Sequence, residues 1–145
     1  MTRFLVILGF TAALAHQVWE SFHVGLYGGY DHLTRLPITV YATAGDVAYT
    51  FGVYLFLSLV TGDIRWPLHL SRRMAAVLSF MGFFVALLVE YKALAQGRWY
   101  YLDAMPLIPG LGVGLSPILQ MTILLPAVFW ITSSIENSFR SHPAD

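Results

Sequence analysis

The chain has no cysteine. That excludes disulfides, thiol redox chemistry and thiolate metal sites. It is also poor in charge. Only 11% of its 145 residues are Asp, Glu, Lys or Arg, where a soluble domain carries about 25%. Eight basic and eight acidic residues cancel, so no basic face is offered to nucleic acid. It contains no internal repeat and no low-complexity tract. What remains is apolar, with 57% hydrophobic residues and a mean hydropathy of +0.66. This is a membrane composition at a length that suits one domain over residues 1–145.

A spanning helix needs ~20 mostly apolar residues. Four stretches qualify, at about residues 4–26, 38–61, 74–95 and 111–133. The second begins just after Pro37, a good first-turn residue. The fourth carries Pro117 near its start and Pro126 inside, where a lost backbone bond predicts a kink. The predicted fold is all-α, a polytopic membrane protein built as a four-transmembrane-helix bundle. Arg3, the apolar run after it and Ala13-Leu14-Ala15 also resemble a signal peptide. Cleavage there would leave His16 as a new N-terminus, whose amine and ring suit copper. The apolar run continues through Val18, Trp19, Phe22 and Val24 to Leu26, which favours a retained helix.

Three connections follow. Residues 27–37 open on Gly28 and Gly29, a tight exit. Residues 62–73 carry Arg65, Arg72 and Arg73 and read as a solvated turn. Residues 96–110 hold Trp99, Tyr100, Tyr101, Asp103, Pro106 and Pro109, with the aromatics as interface anchors. Gly110, Gly112 and Gly114 then predict a flexible or re-entrant lead-in to the fourth helix. Residues 136–145 read as a short polar tail. Arg3, Arg65, Arg72, Arg73 and Arg140 fall on one side, and Arg35, Lys92 and Arg98 on the other. That bias of five to three puts both termini in the cytoplasm, in a cytoplasmic (inner) membrane.

The chain is organised around residues 15–27, which place His16, Glu20 and His23 inside an apolar run. At ~100° per residue these three lie within about 60° on one helix face. Ionisable groups at membrane depth are costly, so they face a bundle interior and carry a task. Antiparallel threading brings Asp46 of the second helix, Glu90 of the third and Gln120 of the fourth to the same depth. Small and polar neighbours predict which faces turn inward: Gly9 and Ala13 on the first helix, Thr39, Thr43 and Thr50 on the second, Ser79, Phe83 and Ala86 on the third. The expectation is an intramembrane polar cavity opening toward the first and third connections. The bland alternative is that these groups satisfy one another and hold the bundle together. For His23, close to the interface, that bland reading is favoured.

Three chemistries compete for the cluster. The first is proton transfer, isomerase- or hydratase-like, on a hydrophobic lipid such as a sterol, isoprenoid or carotenoid. His16 would be the shuttle, Glu20 and Asp46 the acid/base partners and Glu90 the orienting or second acid. Gln120 would hydrogen-bond substrate, and Trp19, Tyr49 and Phe83 would line the pocket. No cofactor is expected. The second is a metal-dependent oxidoreductase on His16, Glu20 and His23. Di-iron bundles use two Glu-x-x-His elements and two further glutamates, and here one such element exists. Haem fits less well still, because His16 and His23 share one helix and cannot ligate one iron from opposite faces. The third is a non-catalytic lipid- or pigment-binding module, or an accessory subunit of a larger membrane complex. The partners expected are a hydrophobic small molecule and the membrane, with a homo-oligomer or larger complex open.

His16, Trp19 and Glu20, followed by Phe22, Val24 and Tyr27, resemble the His-x-x-x-Glu helix of the emopamil-binding (EXPERA) family of sterol isomerase and sigma-2 receptor. Gly45, Asp46, Val47 and Tyr49 resemble the Gly-Asp-Val helix of its sterol isomerase, and Gln120 ahead of Leu125-Pro126 is similar to the last helix there. The resemblance implies an intramembrane cavity in which His16 and Glu20 handle protons and a further acid assists. The order differs: Asp46 here precedes the other acidic helix, whereas the isomerase's Gly-Asp-Val helix follows it.

Overall fold

Four long helices carry most of the described residues: α1 (Thr2–His23), α2 (Ile38–Thr61), α3 (Arg72–Ala95) and α4 (Leu115–Ser141). The computed structural model describes residues 1–31 and 33–141, so residues 142–145 of the expected tail lie outside the described residues. By length and composition each helix is able to cross a membrane. Among the described residues the strands are two short ones, β1 (Tyr27–Gly28) and β2 (Tyr100–Tyr101). They pair antiparallel, with Tyr27 opposite Tyr101 and Gly28 opposite Tyr100.

Local chemistry sets the helix ends. Pro37 precedes α2, and its carbonyl accepts the N–H groups of Val40 and Tyr41. Gly62, left-handed at φ 66°, ends it. The third helix starts before residue 74 because Ser71 caps it, its Oγ accepting the Met74 N–H at 3.2 Å. The first helix tightens into a 3-10 turn at Val24–Leu26.

α4 departs most from expectation. It starts at Leu115 rather than 111, because Gly110 and Gly112 take left-handed φ of 81° and 67°. The lead-in is a fixed turn, not a flexible segment. Ile108 N–H donates to the Val113 carbonyl at 2.8 Å, Leu115 N–H donates to the Pro106 carbonyl at 2.7 Å, and the Tyr91 hydroxyl donates to the Leu111 carbonyl at 2.6 Å. At its other end α4 runs unbroken through Pro126 to Ser141, well past residue 133. The expected polar tail begins as helix, and Glu136 is buried there. It takes Arg3 Nε at 2.8 Å and Arg140 Nε at 3.1 Å, so its charge is matched inside the fold.

α1 is central, packed against α2 on one side and α4 on the other, while α3 packs on α4. α2 and α3 make little direct contact. The buried stripe of α1 is Phe4, Leu8, Ala12, His16, Glu20 and His23, one residue away from the expected Gly9 and Ala13. That of α3 is Leu78, Gly82, Ala86 and Glu90, with Ser79 and Phe83 flanking it. Gly82 decides this face: a Cβ there would overlap the Met121 backbone carbonyl, so this is where α3 and α4 come closest.

The larger apolar core joins Phe4 and Leu8 to Leu57, Leu78, Val128 and Phe129. The 62–73 connection closes it rather than lying in solvent. Its 3-10 turn Trp66–His69 buries Trp66, Pro67 and Leu68. The Trp66 ring lies 5.0 Å from that of Phe129, its N–H donates to the Tyr54 carbonyl at 3.4 Å, and Ser133 Oγ donates to the Pro67 carbonyl at 2.7 Å. The smaller core, Ala86, Val113, Ile118 and Met121, lies toward the other end.

Candidate functional site

Spacings of four and three residues put His16, Glu20 and His23 on one face of α1, all buried. Gln120, five residues beyond the start of α4, is buried against them. Its amide nitrogen stands 2.9 Å from Glu20 Oε1, 2.9 Å from Asp46 Oδ2 and 3.2 Å from His16 Nδ1. An amide nitrogen has two hydrogens. The two short contacts take them, so both carboxylates accept from Gln120. His16 Nδ1, 3.4 Å from Asp46 Oδ2, then points its own hydrogen at Asp46. In the neutral ring this leaves Nε2 as a lone pair, and Nε2 is buried with no hydrogen-bond partner. Buried polar atoms are rarely left so.

The tautomer of His23 follows from its neighbours. The Trp19 indole N–H can only donate, and it meets Ser116 Oγ at 3.3 Å. The Ser116 hydroxyl hydrogen is thereby free for His23 Nδ1, 2.9 Å away. His23 carries its own hydrogen on Nε2, which faces Glu20 Oε2 at 3.1 Å. Glu20 thus accepts from His23 on one oxygen and from Gln120 on the other.

Glu90 is held separately. The Tyr101 hydroxyl donates to its Oε2 at 2.5 Å and the Trp99 indole N–H at 3.4 Å. The β1–β2 pairing makes this possible. Gly28 and Gly29 lie under the Tyr100 ring, where a Cβ on either would collide with it. Burial, and then the charge of Glu90, holds the Tyr27 hydroxyl protonated well above the ordinary tyrosine range. Burial and the hydrogen bond to Glu90 do the same for Tyr101.

A pocket of about 430 Å³ occupies the fissure between α2 and α3. Glu20, His23, Asp46 and Gln120 form its floor, Tyr49 and Tyr41 its α2 wall, Glu90 its α3 wall, and Arg98 and Trp99 stand at the loop end. His16 lies behind the floor, fully buried. Two residues expected to line the pocket stand elsewhere. Trp19 is turned toward Ser116 and borders an apolar groove between α1 and α4. Phe83 packs on the smaller core, with its ring 5.3 Å from that of Phe84. The fissure holds Tyr49 and Gln120, yet both Gln120 N–H groups are taken by carboxylates, leaving its carbonyl for anything else.

Among the described residues no three His, Asp or Glu side chains converge as metal ligands would. The alternative set of His16, Glu20 and His23 does not converge on one point: His23 Nε2 faces Glu20, whereas His16 Nδ1 faces Asp46. Ser116, Trp99 and Tyr101 were not legible as site residues. Ser116 had a weak signal, lying four residues before Gln120 on the same face of α4. No protein-family model, curated protein or solved structure matches this chain.

Proposed function

We propose that the chain is an integral protein of the cytoplasmic membrane, both termini inside, whose α2–α3 fissure is an intramembrane cavity for proton-transfer chemistry on a hydrophobic lipid. One observation carries the reading: a single amide, Gln120, joins Glu20, Asp46 and His16 at the floor of a pocket that α2 and α3 leave open. Glue is a poor reason for such a cluster, since interhelical hydrogen bonds in membranes average under ~1 kcal/mol. Glu20, as the carboxylate, takes a proton from one carbon of an unsaturated substrate. Asp46, entering the cycle as the neutral acid, gives one to another carbon. His16 shuttles the proton back from Glu20 to Asp46 to reset the site. The sum is an isomerisation with no net oxidation. Glu90, pinned by Tyr101 and Trp99, serves as the second acid. The resemblance of His16, Glu20 and Asp46 to the EXPERA pattern supports the same assignment.

A second reading is favoured by the apolar groove that Phe10, Leu14, Val18, Leu124 and Ile131 form on the opposite face. It would suit an accessory subunit docked on a partner helix, with the pocket binding lipid or pigment without turnover.

The test is mass spectrometry of small molecules co-purifying with wild type and with Glu20→Gln. An unsaturated isoprenoid or sterol retained by the variant, and found isomerised with wild type, is the expected result. If neither protein carries one and the variant merely unfolds more easily, the cluster is structural.

A further inference from the structure

The pocket has two chemically different ends. Along the floor and the α3 wall every carboxylate is already engaged. Glu20 accepts from Gln120 and His23, Asp46 from Gln120 and His16, and Glu90 from Tyr101 and Trp99. At the mouth stands a cation with no such match. Among the described residues the ion pairs are those of Arg3 and Arg140 with Glu136, while neutral His16 and His23 hydrogen-bond Asp46 and Glu20. Arg98 is in none of them.

What Arg98 touches is neutral. One Nη2 hydrogen goes to the Tyr41 hydroxyl at 3.0 Å, and the guanidinium carbon lies 5.2 Å from the centre of the Trp99 ring. Trp99 in turn gives its N–H to Glu90. The backbone under Arg98 is fixed. Gly97 is left-handed at φ 62°, its N–H bonds the Leu94 carbonyl at 3.1 Å, and Arg98 N–H bonds the Ala93 carbonyl at 2.9 Å. This double bond pattern is a Schellman end to α3. A rigid turn therefore presents, at the rim of an apolar fissure, a planar donor fork with most of its hydrogens uncommitted.

We propose that the pocket takes a single-chain amphiphile with a carboxylate head, a long-chain or isoprenoid acid, whose head pairs with Arg98 and whose chain lies between α2 and α3. The proposal rests on the reading of the fissure as a lipid cavity and adds the head group to it. Guanidinium and carboxylate match in charge and fork geometry. The reverse orientation would set the head beside Glu20 and Asp46, so charge also fixes which way the chain enters. The volume of about 430 Å³ is near the lower end of ligand sites, which run roughly 300–1,000 Å³ and so favour one chain over two.

The experiment uses the full chain in phosphatidylcholine nanodiscs at alkaline pH. Quenching of tryptophan fluorescence is read with a brominated stearic acid, its methyl ester and the matching amine. The acid is expected to bind wild type about tenfold more tightly than the ester, the strength of a charge-assisted pair. Arg98→Gln should erase that preference while leaving ester affinity unchanged, which also shows that the variant is folded. Arg98→Lys should keep part of it. Equal affinities for acid and ester in wild type overturn the head-group assignment and leave the cavity standing. Preference for the amine overturns it too, since the floor carboxylates would then read the head. Displacement of the acid by phosphatidylglycerol in wild type but not in Arg98→Gln overturns it in favour of a membrane phosphate. No quenching by any probe removes the cavity along with it.

Discussion

Near the chain termini α1 and α4 meet through Phe4, Leu8, Val128 and Phe129, and Trp66 from the 62–73 connection fills the remaining gap. A few turns away the same two helices meet through His16, Glu20 and Gln120, and the space between α2 and α3 stays open. The first region gains from close contact, where each buried side chain makes many small dispersion contacts. The second gives up that contact for a hydrogen-bonded floor whose net contribution in a membrane is small. The apolar packing and the polar cluster thus lie at different ends, and each is open to a separate attack.

The largest expected effect is at the closed end. Trp66→Ala removes the ring that Phe129 and Tyr54 pack on, and should cost about 3 kcal/mol. Thermal unfolding in detergent reads it, and an unchanged midpoint would mean that the connection is an ornament. Gly82→Ala comes next. Its methyl would press on the Met121 carbonyl, and overpacking of this kind costs about 2 kcal/mol. The same unfolding assay checks it, with Ser79→Ala as a control that should be near neutral.

At the open end the order reverses. Glu20→Gln should change the unfolding free energy by less than ~1 kcal/mol while abolishing turnover and leaving unconverted ligand bound. A large loss of stability with turnover intact would erase the distinction between the ends. The smallest effect is spectroscopic. Tyr27 and Tyr101 are raised by burial and by Glu90, so they should ionise later than ordinary tyrosines, which titrate near pH ~10. Because the folded state holds these protons more tightly than the unfolded one, their contribution to stability is complete below that pH and is lost as pH rises above it. Tyr101→Phe should remove one late-ionising group from an ultraviolet titration and leave the early ones unchanged.

Much of this division could be read in the sequence. Periodicity placed His16 and Glu20 on one face, and threading alone set Asp46 and Gln120 at their depth. The closed end was harder. Trp66 sits among arginines that read as a solvated turn, and nothing local says that its ring folds inward. Glu136 looked like the start of a tail because the charge that matches it, Arg3, is 133 residues away. On α3 the expected Ala86 and Glu90 are buried, but Leu78 and Gly82 take the inward places expected of Ser79 and Phe83, and glycine is the better mark of close helix approach. Trp99 and Tyr101 passed as interface aromatics, since their contact with Glu90 depends on a strand pairing too short to leave a pattern.

The central place of α1 has a consequence for biogenesis. α1 is sandwiched between α2 and α4, and within this chain α4 is made well after it. Until α4 arrives, His16 and Glu20 lack Gln120, His23 lacks Ser116, and Arg3 lacks Glu136. An early helix with ionisable groups facing lipid is held poorly by hydrocarbon. A chain truncated before α4 should therefore be degraded faster in cells than the full chain.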